Sequence, residues 1–364
     1  QRQMCIRDRD NIFREMKFHN IIIQARDYYR TLSQKKEVRT IMSGIPVRRL
    51  SQSQKKLISQ YFKTNIGITT HDTLWHEMYY SINNDFDVRY IPINKVFQRV
   101  ISRLNDETTM RAYADKNTYD IRFKEFNQPM TILKKWGGDF YIDNKIVSEK
   151  EAIRLFGTLD NVIIKPALET GQGHGVFCFH QKNLIVSPEQ YLRSLGDNFI
   201  IQERVKQHAE IAKLNPSSLN TFRIVTYRER DNVYILNVTL KIGHKGEVVD
   251  NGHAGGYFVG TNEDGTLKKW VYSLNPFSKK EMTESEIKVD GLPVPSFHKL
   301  KETVCELSLL LPYHRIVGWD MAIGENGNPL LVELNVNGFG VNIIQIPNGA
   351  LLGKYTEKIL NKVK

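Results

Sequence analysis

The stretch GWDMAIGENGNPLLVELNVNG, residues 318–338, limits the fold of this chain more than any other. Asn326-Gly327 is the strongest short hairpin signal a sequence offers, because both central residues of a type I′ turn need φ > 0. With those two as the turn, Glu325 pairs with Asn328, and counting outward places Asp320 opposite Glu333. Side chains alternate along a strand, so Asn335 shares the face of Glu333. Like charges directly opposite one another are destabilising. Either one carboxyl is protonated or a cation lies between the two. Two carboxylates and an amide oxygen are hard donors of the kind Mg²⁺ takes beside water and phosphate oxygens. The competing reading is a solvated hairpin face. Leu330, Leu331, Val332 and Leu334 stand against it, because they leave both faces of that strand apolar apart from these polar groups. Pro329, close to the turn, cannot donate to a ladder.

The 364 residues, 41% hydrophobic and 25% charged, suffice for two or three domains with real cores. No apolar run reaches the roughly 18 residues a membrane span needs. The N-terminus lacks a signal-peptide core. Residues 1–9, QRQMCIRDR, read as a scar of sequence assembly or a disordered start. Cys5, Cys178 and Cys305 lie far apart without metal-ligand spacing. The latter two sit in apolar contexts and read as small core residues of a cytoplasmic protein. The net charge of +11 allows an anionic partner. Much of the excess lies early, at Arg26, Arg30, Lys35, Lys36, Arg39, Arg48, Arg49, Lys55, Lys56 and Lys63. A solvated helical surface explains such a run. A membrane surface, which would place the chain at the inner face, an acidic sugar polymer and nucleic acid are the other readings. No aromatic–basic RNA motif supports nucleic acid.

Apolar spacing predicts helices from residue 10 to about 105, in NIFREMKFHNIIIQARDYYRTL, SQSQKKLISQYF and INKVFQRVISRL, with Pro92 opening the last. From about 110 the texture changes. MTILKKWGGDFYIDNKIV reads as strands about Gly137-Gly138. SEKEAIRLFGTL is a short helix with a Ser148–Glu151 capping box. A strand (NVIIKPA), a glycine loop (ETGQGHG), a strand (VFCF), a helix (PEQYLRSL) and a strand (NFIIQERV) follow. LNTFRIVTYRE and NVYILNVTLKIG form a hairpin about Arg230–Asn232, and SFHKLKETVCELSLLL is a helix. Strands interspersed with helices and meeting at hairpins indicate α+β with antiparallel or mixed sheets.

Chemistry enters through cations inside apolar strands. Lys165 lies in VIIKPA, and an inward-facing strand lysine needs an anion. Gly171, Gly173 and Gly175 follow; glycine lets backbone N–H groups approach phosphate oxygens. The loop leads into a strand and lacks G-K-[ST], so it is neither a Walker A loop nor a dinucleotide fingerprint. Arg223 shares a face with Thr221 and Val225, and Lys241 repeats the theme on the partner strand. Each of these cations could instead be a rim charge with an exposed head. Cations to hold phosphates, a loop to cover them and a metal to bridge their oxygens are what phosphoryl chemistry requires.

The order of these elements resembles the ATP-grasp superfamily, and within it the sugar-transfer-associated branch. The resemblance spans roughly residues 110 to 345. It rests on ADKNTYDIRF, VIIKPALETGQGHGV, IIQERVKQH, NPSSLNTFRIVTY, DNGHAGG, GWDMAI and VELNVNG in that order. The glycine loop departs from the family in carrying Gln172 and His174, and ELNVNGFG lacks the proline frequent before its glycine.

The resemblance implies an α+β ATP-grasp fold. A helical region over 10–109 would precede a first lobe over 110–203 and a second over 204–364. Lys116 and Lys165 would bind the ATP phosphates, and Gly171, Gly173 and Gly175 would close over them. Glu203 and the backbone of Val205 would meet adenine. Arg223 and Lys241 would face the γ-phosphate or an acyl phosphate, and Asn251 would lie near the substrate. Asp320, Glu333 and Asn335 would hold Mg²⁺, or Mn²⁺ in its place. The implied activity is a carboxylate–amine ligation through an acyl phosphate, with free or sugar-linked substrates and a tie to cell-surface polysaccharide. A kinase-like transfer on the same fold and a non-catalytic module binding anionic polymer or nucleic acid are the alternatives.

Overall fold

Helix starts in the N-terminal third follow their capping residues. In the computed structural model, which describes residues 28–168, 175–247, 250 and 255–364, residues 28–43 are helical (α1). The part of the expected first helix before residue 28 lies outside the described residues. Helix α2, Gln52–Ile66, starts at a capping box in which the Ser51 and Gln54 side chains each bond the other's backbone N–H. Helix α3 spans Leu74–Asn83. Helix α4, Lys95–Leu104, is capped by Asn94, whose side chain accepts the Val96 N–H; it begins later than Pro92 suggests. Short helices α5 (Met110–Ala114) and α6 (Tyr119–Arg122) flank a 3₁₀ turn over Lys116–Thr118.

Two antiparallel sheets follow. The first comprises β1 (Thr131–Trp136), β2 (Asp139–Ile142), β3 (Lys145–Val147), β4 (Val162–Pro166), β5 (Phe177–Phe179) and β6 (Phe199–Glu203). Its order is β3-β2-β1-β6-β4-β5. Gly137 and Gly138, both at positive φ, close β1 onto β2 as the sequence suggests. Helix α7, Glu149–Phe156, carries the expected Ser148–Glu151 capping box, and α8 spans Pro188–Ser194. Phe156 and Leu192 of these helices pack on Leu133, Ile164 and Ile201 of the sheet.

The short helix α9, Ala209–Ala212, leads into the second sheet. That sheet comprises β7 (Thr221–Glu229), β8 (Asn232–Ile242), β9 (Tyr257–Thr261), β10 (Leu267–Leu274), β11 (Phe277–Lys280), β12 (Ile316–Ile323) and β13 (Pro329–Asn335). Its order is β11-β10-β9-β8-β7-β12-β13. Strands β9 to β11 carry no alternation clean enough to have been predicted. Helices α10 (Phe297–Leu309), α11 (Val341–Asn348) and α12 (Thr356–Lys362) complete the chain. The helical region shares one core with this sheet: Phe62, Trp75, Met78 and Tyr79 are fully buried in the same cluster as Phe222, Leu240, Trp319 and Leu334.

The β12–β13 hairpin corrects one expectation and meets another. Its loop is not a two-residue type I′ turn. Gly324 N–H donates to Asn328 O, leaving three residues in the loop, and Gly327 alone takes positive φ, at 77°. Such a loop shifts the register by one from the two-residue count. A β-bulge then shifts it back: Met321 pairs with Leu331 but Asp320 pairs with Glu333, leaving Val332 as the extra residue. The acids therefore face each other, although the route from the turn differs. Cys178 and Cys305 are half-buried rather than core residues. Among the described residues no helix is long and apolar enough to cross a membrane.

Candidate active site

A cavity of about 630 Å³ is lined by both sheets, within the usual range of ligand sites. Lys165 of β4 and Gln202 and Glu203 of β6 line it from the first sheet; Arg223, Lys241, Asp320 and Glu333 line it from the second. Asp320 is the centre of charge. In the ladder it lies between Arg223 of β7 and Glu333 of β13. Arg223 Nε and Nη2 donate to its two oxygens at 2.6 and 2.9 Å, a bidentate pair. Lys241 Nζ lies 3.3 Å from Asp320 Oδ2 and 3.2 Å from Asp250 Oδ1. Burial alone would raise the Asp320 carboxyl, but the guanidinium and the ammonium overcome it and hold the group at about 2. Burial likewise works against the charge of Arg223 and Lys241, and the neighbouring carboxylates reverse it, so both stay raised.

Glu333 has its own cation. The 3₁₀ turn places Lys116 Nζ 3.0 Å from Glu333 Oε1, and the Lys116 N–H anchors that turn by donating to Ala167 O at 2.9 Å. The opposed acids are thus neutralised from both sides by protein cations. Lys165 differs. It is 7% exposed and lines the cavity, and its ammonium makes no hydrogen bond or ion pair with a described residue. Burial, and then the charge of Lys116, push its ammonium down to about 8. The charge of Glu333 opposes that shift only in part, and a buried lysine with no ion pair among the described residues is costly unless an anion arrives.

Most of the sequence-identified residues described here line this one cavity: Lys116, Lys165, Glu203, Val205, Arg223, Lys241, Asp320, Glu333 and Asn335. Glu203 has a backbone partner, accepting the Met130 N–H at 3.1 Å. Gly175, at φ 78°, packs where a Cβ would come within 3.0 Å of Pro166. Gly171, Gly173 and Asn251 lie outside the described residues. Sequence reasoning missed Asp250, which accepts from the Thr221 N–H and hydroxyl as well as from Lys241. Its signal was its place at the head of DNGHAGG. It also missed Arg30, Gln34, Glu37 and Phe97, which line the cavity from the helical region. A missed packing signal is Gly318, inside β12, where a Cβ would overlap Phe339 and sit 3.3 Å from Arg223 Cδ. Glycine inside a strand marks such close approach.

The donors suit the ligands implied for them. Each carboxylate offers about four lone-pair sites, so its ion pair does not exhaust it. The Asn335 amide donates through Nδ2 to Gly318 O, which leaves Oδ1 as an acceptor. Among the described residues no three His, Cys, Asp or Glu side chains converge as a metal cage. Mg²⁺ needs none, since it keeps waters and substrate phosphates alongside one or two carboxylates.

Two antiparallel sheets that enclose buried lysines and a facing pair of acids define an ATP-grasp protein. The model of one family, described as sugar-transfer associated ATP-grasp, matches residues 96–361, and the chain belongs to that family. No curated protein gives a significant match. Among solved structures, the chain is similar to an L-amino acid ligase from Bacillus licheniformis (13% identity, 68% of this chain, 48% of that one, TM-score 0.38). It is also similar to the VanG D-Ala:D-Ser ligase from Enterococcus faecalis (14%, 69% and 60%, TM-score 0.43). The chain spans about half the length of the first of these.

Proposed function

We propose that this protein is an ATP- and Mg²⁺-dependent carboxylate–amine ligase that works through an acyl phosphate. The observation that carries the reading is Lys165, a buried ammonium with no ion pair among the described residues, in the cavity that also holds the opposed Asp320 and Glu333. Phosphate oxygens supply the missing charge. Lys165 and Lys116 hold the ATP phosphates, and Arg223 and Lys241 stabilise negative charge where the γ-phosphoryl group is transferred. Asp320, Glu333 and Asn335 would hold Mg²⁺, which would offset the negative charge of the phosphates.

In the reaction, a substrate carboxylate oxygen attacks the γ-phosphorus and the bond to the β-phosphate oxygen breaks, giving an acyl phosphate and ADP. The amine then attacks the acyl carbon. Phosphate leaves, and the amine nitrogen gives up a proton to solvent. The protein contributes positioning and fixed charge. The sugar-transfer association in the family's description favours acceptors or donors joined to sugars. Part of the early positive charge has partners within the chain: Lys35 pairs with Asp72 at 2.7 Å and Arg49 with Glu77 at 2.9 Å.

Nucleotide-dependent stabilisation tests the reading. A ligand that binds only the folded protein at about 100 times its Kd adds roughly 2.7 kcal/mol. Mg²⁺ with ATP should raise the melting midpoint of wild type. Glu333→Gln should remove ADP formation while the variant still folds, with a somewhat lower unliganded midpoint because the buried Lys116 loses its partner. No midpoint shift with ATP, or full turnover in Glu333→Gln, would overturn the reading.

A further inference from the structure

Most carboxylates of the cavity are accounted for. Asp250 and Asp320 share Lys241, Asp320 also binds Arg223, and Glu333 binds Lys116. Glu203 lies exposed and accepts a backbone N–H. Glu37, on α1, is the remaining one. It is half-buried and lines the cavity, and its partner is a neutral amide: Asn342 Nδ2 donates to Oε1 at 2.9 Å. Its second oxygen makes no hydrogen bond or ion pair with a described residue.

That carboxylate is held in place. Tyr79 O–H donates to Asn342 Oδ1 at 2.7 Å, and Gln345 Nε2 donates to the Tyr79 hydroxyl at 2.8 Å. Gln345 is itself fixed by the Ile91 and Leu351 N–H groups, which donate to its Oε1 at 2.8 and 3.0 Å. Asn342, Gln345 and Tyr79 are 0–3% exposed. A buried amide–phenol chain therefore aims Glu37. Arg30, Gln34 and Glu37 fall at i, i+4 and i+7, one stripe of α1 toward the cavity. Arg30 Nη1 and Nη2 donate to Asn337 Oδ1 and O at 3.2 and 3.3 Å, which ties this stripe to the segment after β13. Phe97 and Val341 supply apolar wall beside it.

A fixed carboxylate with no cation paired to it among the described residues, facing a partly desolvated cavity, favours a cationic ligand group. We propose that Glu37 recognises the ammonium of the amine substrate, so that α1 forms the acceptor half of the cavity opposite the phosphate-binding lysines. This rests on the ligase reading above and adds the side from which the amine enters. The ligand is a primary ammonium on a small polar carrier, whether an α-amino acid or an amino sugar.

The test uses the full chain with Mg²⁺ and a non-hydrolysable ATP analogue, followed by melting and by calorimetric titration. One arm adds glycine, L-alanine and D-alanine; the other adds glucosamine. Each arm has its N-acetyl counterparts as controls. At least one free amine should bind the wild type, its N-acetyl form should bind at least tenfold more weakly, and the arm that responds identifies the carrier. Glu37→Gln, which keeps an oxygen for Asn342, should weaken that amine at least tenfold while the analogue's Kd changes less than twofold. Should Glu37→Gln melt unlike wild type, Glu37→Asp is titrated instead and should weaken the amine at least threefold. No amine binding in either arm, equal binding of N-acetyl forms, or unchanged amine affinity in the variant read overturns the proposal. Loss of this response with the nucleotide shift intact removes only the proposal. A wild type that does not respond to the nucleotide analogue removes the ligase reading itself.

Discussion

Asp320 is the residue on which the charges of the site balance, and its surroundings make two opposite demands on it. It is 4% exposed, which disfavours its charge, yet Arg223 and Lys241 keep it ionised. Asp320→Asn leaves those two buried cations short of a partner. Breaking a buried pair from one side costs about 3–5 kcal/mol. The variant should melt well below wild type, and a midpoint within 2 °C would refute the pairing. The same shift has a pH signature. The folded carboxyl, at about 2, lies below its ordinary 3.8, so its contribution is complete above about pH 4 and vanishes as pH falls through about 2. Two units correspond to about 2–3 kcal/mol. Lys165 runs the other way. Its folded value of about 8 lies below the ordinary 10.5, so the free protein loses this charge as pH rises through about 8. ATP affinity should fall over that range in wild type and stay flatter in Lys165→Arg, whose guanidinium does not titrate there. Equal slopes would remove Lys165 from phosphate binding. Strand cations were legible in the sequence because charge inside an apolar run is anomalous. Their pairing was not: Arg223 and Asp320 lie 97 residues apart and meet only through the order of strands.

At the scale of elements, the Ser148–Glu151 capping box and the Gly137-Gly138 turn translated directly, since both act over three or four residues. Register did not. A two-residue turn and a three-residue turn followed by a bulge give the same pairing of Asp320 with Glu333, and sequence carries no distinct mark for the bulge. The 3₁₀ turn carrying Lys116 shows how one element positions another. Lys134 of β1 is 1% exposed, and its ammonium donates to Asn117 O at 2.7 Å, Asp120 Oδ1 at 2.8 Å and Asn144 Oδ1 at 2.6 Å. It pins the turn and α6 to the first sheet. Lys134→Met leaves a carboxylate and a carbonyl without that donor, a loss below the about 3–5 kcal/mol of a fully buried pair because Asp120 is 21% exposed. Lys116 should then lose its fixed position, so ATP should bind more weakly as well as the fold melting earlier. A variant that is destabilised but binds ATP as wild type does would make Lys134 purely structural.

The whole molecule departs most from a division by composition. The family's own segment begins at residue 96, after most of the helical region. That region nevertheless buries Ile58, Phe62, Trp75, Met78 and Tyr79 to 0% in the core it shares with the second sheet. Fully burying each large apolar side chain is worth about 1.5–3 kcal/mol. Those five together therefore approach the 5–15 kcal/mol by which a domain is stable at all. Gln345 adds a polar lock, since its Nε2 also donates to Ile91 O at 3.0 Å, so one buried side chain satisfies both backbone groups of Ile91. A chain starting at residue 96 would expose the sheet's side of this core and leave Gln345 without Ile91 and Tyr79. Such a fragment should be insoluble or melt without a cooperative transition, and ATP should not rescue it, because the second sheet that carries Arg223, Lys241 and Asp320 has lost half of its core. The full chain should melt its helical region and second sheet in one transition, with far-ultraviolet circular dichroism and the fluorescence of Trp75 and Trp319 coinciding. A soluble 96–364 fragment with a sharp transition and wild-type ATP affinity would show that the helices are an appendage rather than half of the core.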